Sequence, residues 1–201
     1  MAETIAISTI GPESHGQRMT LDEFARVEGH PGYIYELEKG VIVVVDVPGI
    51  PHLSLVLQVR NALIKYQLAD PTRIYAVTGG GESAMRLPEM QSERHPDISV
   101  YRSPPSTPDE QPWDEWIPEI AIEIVSNSSA DRDYGIKRQE YLAAGVRLYW
   151  IIDPRDRTAT VLSRRADKWQ EQKLDSTSLL KTPLLPGFEL RLADVFSVLP
   201  G

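Results

Sequence analysis

The sequence predicts an α/β protein in which a mixed β-sheet is flanked by helices and followed by a β-rich C-terminal part. Three observations predict this. An amphipathic helical stretch from His52 to about Leu68 is followed by a series of short strands. A second helical stretch, about Ala130 to Ala144, lies between two strongly apolar strand segments at 119–126 and 147–153. Beyond residue 153 the chain reads mainly as strands and turns. One helix inserted between strands, with strands paired on either side, indicates a mixed sheet and not a regular doubly wound one.

The elements follow in order. Residues 1–18 are Ser/Gly/Thr-rich and weakly periodic, so they read as a flexible N-terminal arm ahead of a single domain over 19–201. Thr20 and Glu23 have capping-box spacing for a short helix from Leu21 to about Val27. Tyr33 to Val45 is β-branched and aromatic, with Glu38-Lys39-Gly40 as the turn of a hairpin. Pro48 and Pro51 break that pattern. Leu53, Val56, Leu57, Leu63 and Ile64 then recur at helical spacing. Short strands are expected at Ile74–Thr78, Ser83–Leu87 and Asp97–Tyr101, and the five prolines between Ser103 and Pro118 mark a loop. Ser128 or Ser129 caps the second helix and Gly145 stops it. Segments 158–163 and 168–174 read as an antiparallel pair, and 184–196 as a last turn, strand and short helix.

With 201 residues, 41% of them hydrophobic and 25% charged, the composition is that of an ordinary globular chain long enough for one sizeable core. No apolar run approaches the roughly 20 residues that cross a bilayer. Glu3 stands where a secretory leader would be basic, and the absence of cysteine excludes disulfides, thiolate zinc sites and a cysteine nucleophile. A cytoplasmic location is expected. The net charge of −8, from 21 basic and 29 acidic residues, argues against a protein that coats nucleic acid through lysine and arginine. It argues less against a nuclease, because bound divalent metal reverses the local charge of an acidic centre.

In segment 119–126, alternation sets Ile120, Ile122 and Ile124 on one face and Ala121, Glu123 and Val125 on the other. Both faces are apolar, so the strand is central and Glu123 is buried among apolar neighbours. A buried carboxylate costs several kcal/mol unless paired, protonated or metal-bound. Either a structural ion pair or a functional centre satisfies that requirement. Asp97 follows Pro96 at the start of its strand, where it is either a turn residue or the second carboxylate of such a centre. Two converging carboxylates repel, and a hard cation such as Mg²⁺ relieves the repulsion. Lys137 has two readings, an i,i+4 pair with Asp133 on an exposed face or an ammonium reaching into the acidic centre. The dipole-cradling glycine motifs, the P-loop and HExxH are all absent, and the four histidines lack zinc spacing. Trp113 and Trp116 read either as a platform for bases or as an ordinary loop anchor.

"PDISVY", followed by "PEIAIEIVSNSSADRDYGIKRQEYLAAGVRLYWIIDP", resembles the Uma-two family of restriction-endonuclease-like proteins in the PD-(D/E)XK superfamily. Upstream "YELEKGVIVVV" and "PHLSLVLQVRNAL", and downstream "LPGFEL", extend the resemblance over roughly 20–196 in the expected order. It implies a restriction-endonuclease-like fold, with Asp97 and Glu123 as ligands of Mg²⁺ (Mn²⁺ substituting) and Lys137 as the third catalytic residue. The superfamily's usual lysine position, two residues after Glu123, is Val125. The resemblance assigns that role to Lys137 on the following helix. Asn127 also departs from the family, which commonly has proline there. Accessory roles fall on Glu36 of the "YEL" element, otherwise an exposed hairpin charge, and on His52, otherwise a helix cap. Asp133 is expected to orient Lys137 or Arg138, and Tyr141 either to bond into the site or to pack.

The implied activity is an endonuclease that hydrolyses phosphodiester bonds, DNA being the expected substrate, by metal-activated water and without a covalent intermediate. The alternative from another class is a non-catalytic binding or regulatory module that keeps the nuclease fold, and the net charge favours it. A third is a metal-dependent hydrolase of a different phosphate substrate. Cutting both strands of a duplex needs two centres or two successive nicks, so a homodimer is an expectation.

Overall fold

The computed structural model describes residues 9–46, 49–107 and 112–199. In chain order the elements are β1 (Thr9–Ile10), α1 (Leu21–Phe24), β2 (Glu28–Gly29), β3 (Tyr33–Glu38), β4 (Val41–Asp46), α2 (Ile50–Ala69) and β5 (Ala76–Gly79). There follow β6 (Met85–Leu87), β7 (Ser92–Arg94), β8 (Ile98–Tyr101), β9 (Ile120–Ile124), α3 (Ala130–Tyr134), α4 (Ile136–Ala144) and β10 (Leu148–Asp153). The last are β11 (Thr158–Arg165), β12 (Lys168–Leu174), β13 (Leu179–Leu180), β14 (Leu190–Arg191) and α5 (Leu192–Phe196). They form two compact units, Met1–Val47 with Met85–Arg94, and Pro48–Ala84 with His95–Gly201.

The smaller unit carries a sheet ordered β4-β3-β7-β6 and the short parallel pair β1-β2. Lys39 and Gly40 both have positive φ, the backbone of the tight two-residue turn that matches strand twist, and they join β3 to β4 in the expected hairpin. Leu21 and Phe24 of α1 pack with Ile10, Leu37 and Ile42 in this unit's core. Thr20 and Glu23 make the expected capping box, which holds a helix shorter than the expected Leu21–Val27. Of residues 1–18, those from Thr9 on are described, with Ile10 buried and paired in β1. Residues 1–8 lie outside the described set.

The larger unit is built on a six-stranded mixed sheet ordered β12-β11-β10-β9-β8-β5. β9 and β10 are parallel, and every other neighbouring pair is antiparallel. The parallel pair needs a crossover, and α3 and α4 supply it. Ile120, Ile122, Ile124, Leu148, Trp150 and Ile152 bury one face against Leu55, Val59 and Leu63 of α2 and against the C-terminal segment through Leu185 and Phe188. All residues of β9 and β10 are buried, so both faces of the sheet's centre are covered. Among the described residues no helix is long and apolar enough to cross a membrane.

Two expectations are corrected. α2 starts at Ile50, two residues before the expected His52, so Pro51 belongs to the helix. It lies in that helix's first turn, where the missing N–H has no partner to lose. The single helix over Ala130–Ala144 is two helices broken at Gly135. There a Cβ would come within 2.5 Å of the Asp131 carbonyl oxygen, so the break needs glycine.

Asp153 closes the turn from β10 to β11. Its carboxylate accepts from the backbone N–H and guanidinium of Arg155 at 2.7–3.0 Å and from the Tyr134 hydroxyl at 3.3 Å. Burial alone pushes this carboxyl up, but the Arg155 bonds outweigh it and hold it below the usual aspartate value. A depressed folded pKa contributes stability that is present above the unfolded value near 4 and is lost as pH falls through the folded value. Asp153→Asn is therefore expected to cost about 2 kcal/mol at neutral pH and to flatten the dependence of stability on pH below about 4. Urea unfolding at a series of pH values checks this, and an unchanged acid limb in the variant contradicts it.

Candidate active site

Glu123 is the last residue but one of β9, on the face opposite Ile122 and Ile124, and is only 3% exposed. The crossover covers it. Lys137 and Tyr141 are one turn apart on α4, so both side chains fall on one helix face. The Lys137 ammonium donates to Glu123 Oε1 at 3.0 Å and the Tyr141 hydroxyl donates to the same oxygen at 2.5 Å. The ammonium also sits 3.3 Å from Asp133 Oδ1. Lys137 thus makes the i,i+4 contact that its spacing predicts and also reaches Glu123, and it does so buried, at 4% exposure.

Asp133 is fixed from behind. Ser129 donates its hydroxyl to Asp133 Oδ2 at 2.5 Å, and the Tyr149 hydroxyl donates to the Asp133 backbone carbonyl at 2.9 Å. Burial pushes the Asp133 carboxyl up. Lys137 and Ser129 pull it down, the nearby Asp97 charge adds to the upward push, and the net direction is up. Tyr149 packs edge-on against Tyr141 with ring centroids 4.9 Å apart, which holds the hydroxyl of Tyr141 in register with Glu123.

Asp97 reaches the same place from the neighbouring strand. In the antiparallel pairing of β8 with β9, Ile98 stands opposite Ile122, so one step further sets Asp97 opposite Glu123 on the same face. Asp97 Oδ2 accepts from the Ile124 N–H at 2.7 Å and lies 3.3 Å from His52 Nε2. His52, in the first turn of α2, is also 3.0 Å from the Ile124 carbonyl oxygen through the same nitrogen. Burial works against a charged imidazole here. The Asp97 carboxylate, the Ile124 carbonyl and the Glu123 charge outweigh it and push the His52 pKa up. Asp97 keeps 24% of its side chain exposed, so the carboxylate pair is sealed at Glu123 and open at Asp97.

Asp97 and Glu123 offer hard anionic oxygens, and the chain has no thiolate to offer. Among the described residues no three or more His, Asp or Glu side chains are placed to hold a metal. Two carboxylates without a closed protein cage fit Mg²⁺, which keeps most of its waters and completes its shell with substrate oxygens. They do not fit a structural Zn²⁺ or a high-coordination Ca²⁺ site.

Glu36 and the Trp113/Trp116 loop are the remaining sequence candidates. Glu36, in the smaller unit, is not an exposed hairpin charge. It is 3% exposed and accepts from Nη1 of the fully buried Arg94 at 3.2 Å, while Nη2 of Arg94 donates to Glu38 at 2.9 Å. Trp116 stacks on Tyr101 at 3.7 Å and donates its indole N–H to the Ser103 carbonyl, which makes it an anchor of its loop. Sequence reasoning did not find Ser129 or Tyr149 as supports of Asp133. Ser129 was read as a helix cap and Tyr149 as an apolar strand residue, and neither reading points to a distant carboxylate.

A mixed sheet that brings a carboxylate pair and a buried lysine together beside an inserted crossover defines a restriction-endonuclease-like α/β protein. The chain belongs to the Uma2 family, described as "Putative restriction endonuclease", whose model matches residues 21–193. It is similar in fold to the crystal structure of a putative nuclease of DUF820 from Anabaena variabilis. The TM-score is 0.73 at 20% identity, over 90% of this chain and 98% of that one. No curated protein matches.

Proposed function

We propose that the protein is a Mg²⁺-dependent endonuclease that hydrolyses phosphodiester bonds of DNA at the Asp97–Glu123 centre. The observation that carries the reading is the convergence of Asp97, Glu123 and the Lys137 ammonium at one end of β9, with one carboxylate open to solvent. Membership of a family described as restriction endonuclease supports it. Asp97 and Glu123 would hold the cation. When bound, the cation supplies positive charge that activates water and stabilises the leaving oxygen.

The chain's own residues do the rest. Lys137 and Tyr141 together hold the Glu123 carboxylate in one rotamer. The Ile124 N–H fixes the Asp97 carboxylate. His52 Nε2, 3.3 Å from Asp97 Oδ2 and 3.0 Å from the Ile124 carbonyl, holds the Asp97 carboxylate at the open side of the pair. Asp133, bonded to Ser129, sets the position of the lysine.

The test is a cleavage assay on supercoiled plasmid and single-stranded DNA with Mg²⁺ or Mn²⁺. One centre cuts one strand at a time, so nicked circles are expected before linear product, and chelation by EDTA stops both. Cleavage undiminished in EDTA, or none on any DNA or RNA substrate by the folded protein with metal, contradicts the proposal. The second of these results would favour a binding module that keeps the fold, the reading to which the net charge of −8 also points.

A further inference from the structure

Arg147 and Arg164 stand directly opposite each other where β10 and β11 begin to pair. Leu148 is registered with Ser163, so the pair one step outward is Arg147 with Arg164, and the Arg164 N–H donates to the Arg147 carbonyl at 2.9 Å. Directly opposed residues of an antiparallel pair project to one face with their Cβ atoms about 5 Å apart, and like charges there destabilise the sheet. The next hairpin repeats the arrangement, with Arg165 opposite Lys168. In a chain whose net charge is −8, Arg147 and Arg164 are held on one face of this strand tip against their mutual repulsion, and Arg165 and Lys168, one residue further on, project to the other face.

These arginines border a cavity of about 580 Å³. Arg147, Arg164 and Arg165 line it with the hydroxyl-bearing Ser163 and Thr182, and none of its described lining residues is acidic. Asp167 lies in the adjoining turn and is not among the lining residues. Gly145, which ends α4 at φ +97°, forms the floor, and a Cβ there would come within 3.3 Å of Arg164 Nη1. The glycine therefore leaves room for a guanidinium held over the helix end, and Arg164 Nε is fixed by the Ala166 carbonyl at 2.9 Å. The volume lies within the range of small-ligand sites. Planar guanidinium groups and hydroxyls, without a competing carboxylate, are the donors that recognise phosphate.

We infer that this cavity is a phosphate-binding site, separate from the acidic centre, that grips the backbone phosphates of a polynucleotide. Arg147 lies on the same face of β10 as Ile151, and Ile151 is registered beside Glu123. Four steps of strand, about 13 Å, separate Arg147 from Ile151, and because that face is buried a substrate backbone reaching both sites passes around it and not along it. The site thus resolves the mismatch between an acidic chain and an anionic substrate, because cations missing from the composition are concentrated at one place. The choice of a polymer over a free nucleotide rests on the endonuclease reading, but the phosphate chemistry does not.

The test is binding in EDTA, where cleavage plays no part. Fluorescence anisotropy follows a labelled single-stranded 20-mer and a 20-base-pair duplex, and calorimetry follows ATP and inorganic pyrophosphate. The proteins are wild type, Arg147→Gln, Arg164→Gln, the double variant and Glu123→Gln. All three arginines are exposed, so the variants are expected to fold, and thermal melts check it. The expected result is a loss of DNA affinity of about tenfold or more in the double variant and a salt dependence shallower by about two phosphate contacts. Pyrophosphate is expected to raise the melting temperature of wild type and not of the double variant. Glu123→Gln is expected to keep the dependence of binding on Arg147 and Arg164, which pyrophosphate reads without the acidic centre, so failure of the nuclease reading leaves this site standing. Binding of ATP or pyrophosphate through the arginines without binding of DNA keeps the phosphate site and assigns it to a free nucleotide. Equal binding of every probe by wild type and double variant overturns the inference, as does the lack of saturable binding by wild type.

Discussion

Glu123→Gln is expected to lower metal-dependent DNA cleavage by about three powers of ten while leaving the fold intact. The amide is nearly isosteric with the carboxylate, and its carbonyl oxygen still accepts from Tyr141 and Lys137, which bond Glu123 Oε1 at 2.5 and 3.0 Å. Lys137 keeps Asp133 as a counter-ion at 3.3 Å. What would disappear is one anionic oxygen proposed to hold the cation, at the buried half of the carboxylate pair. A cation at such a centre supplies several kcal/mol of transition-state stabilisation, and losing about 4 kcal/mol of it is about a thousandfold in rate. Single-turnover cleavage of plasmid, wild type beside variant at equal Mg²⁺, measures the effect. Rates within threefold of each other would place the chemistry somewhere other than β9. Glu123→Ala is the weaker experiment, because it also opens a cavity next to a buried ammonium and confounds chemistry with folding.

Glu123 was legible in the sequence for one reason, the cost of charge inside a sheet. The apolar alternation of 119–126 announces a strand covered on both sides, and a carboxylate at its centre has to be answered by a cation, a proton or a metal. Asp97 is legible only through the PD element of the resemblance, since the register that sets it opposite Glu123 is a property of the fold. Lys137 shows the limit of spacing. An interval of four residues finds Asp133, but the helix's approach to β9 is a tertiary fact, and it turns an ordinary surface pair into a buried one. Ser129 and Tyr149 were illegible because their partners are a side chain and a carbonyl whose positions depend on where the crossover breaks. The break itself was hidden, since Gly135 sits within a stretch whose apolar pattern continues across it. Arg94 was hidden for a similar reason. An arginine becomes a fully buried residue only when two glutamates of a strand 58 and 56 positions earlier meet it.

Lys137→Met should be the most destabilising single substitution at the site, at about 3–5 kcal/mol, because it removes the cation from a buried cluster and leaves the anions. Glu123 and Asp133 are 3% and 1% exposed, and both lie within 3.3 Å of the ammonium that the substitution deletes. Methionine has about the volume of the lysine stem, so packing against Tyr141 is retained and the loss is electrostatic. Adding Asp133→Asn should recover part of the loss. The neutral side chain still accepts from Ser129, and a double-mutant cycle should return a coupling of about 1–3 kcal/mol between positions 133 and 137. Mg²⁺ is expected to stabilise Lys137→Met more than wild type, since a cation at Asp97 and Glu123 replaces part of the missing charge, and the variant's cleavage rate should remain low at saturating metal. Equilibrium urea unfolding, with and without Mg²⁺, decides among these terms. A loss under 1 kcal/mol with no coupling to position 133 would mean that the buried carboxylates are neutral in the folded protein, and that the lysine acts on the substrate alone and not on the architecture of the centre.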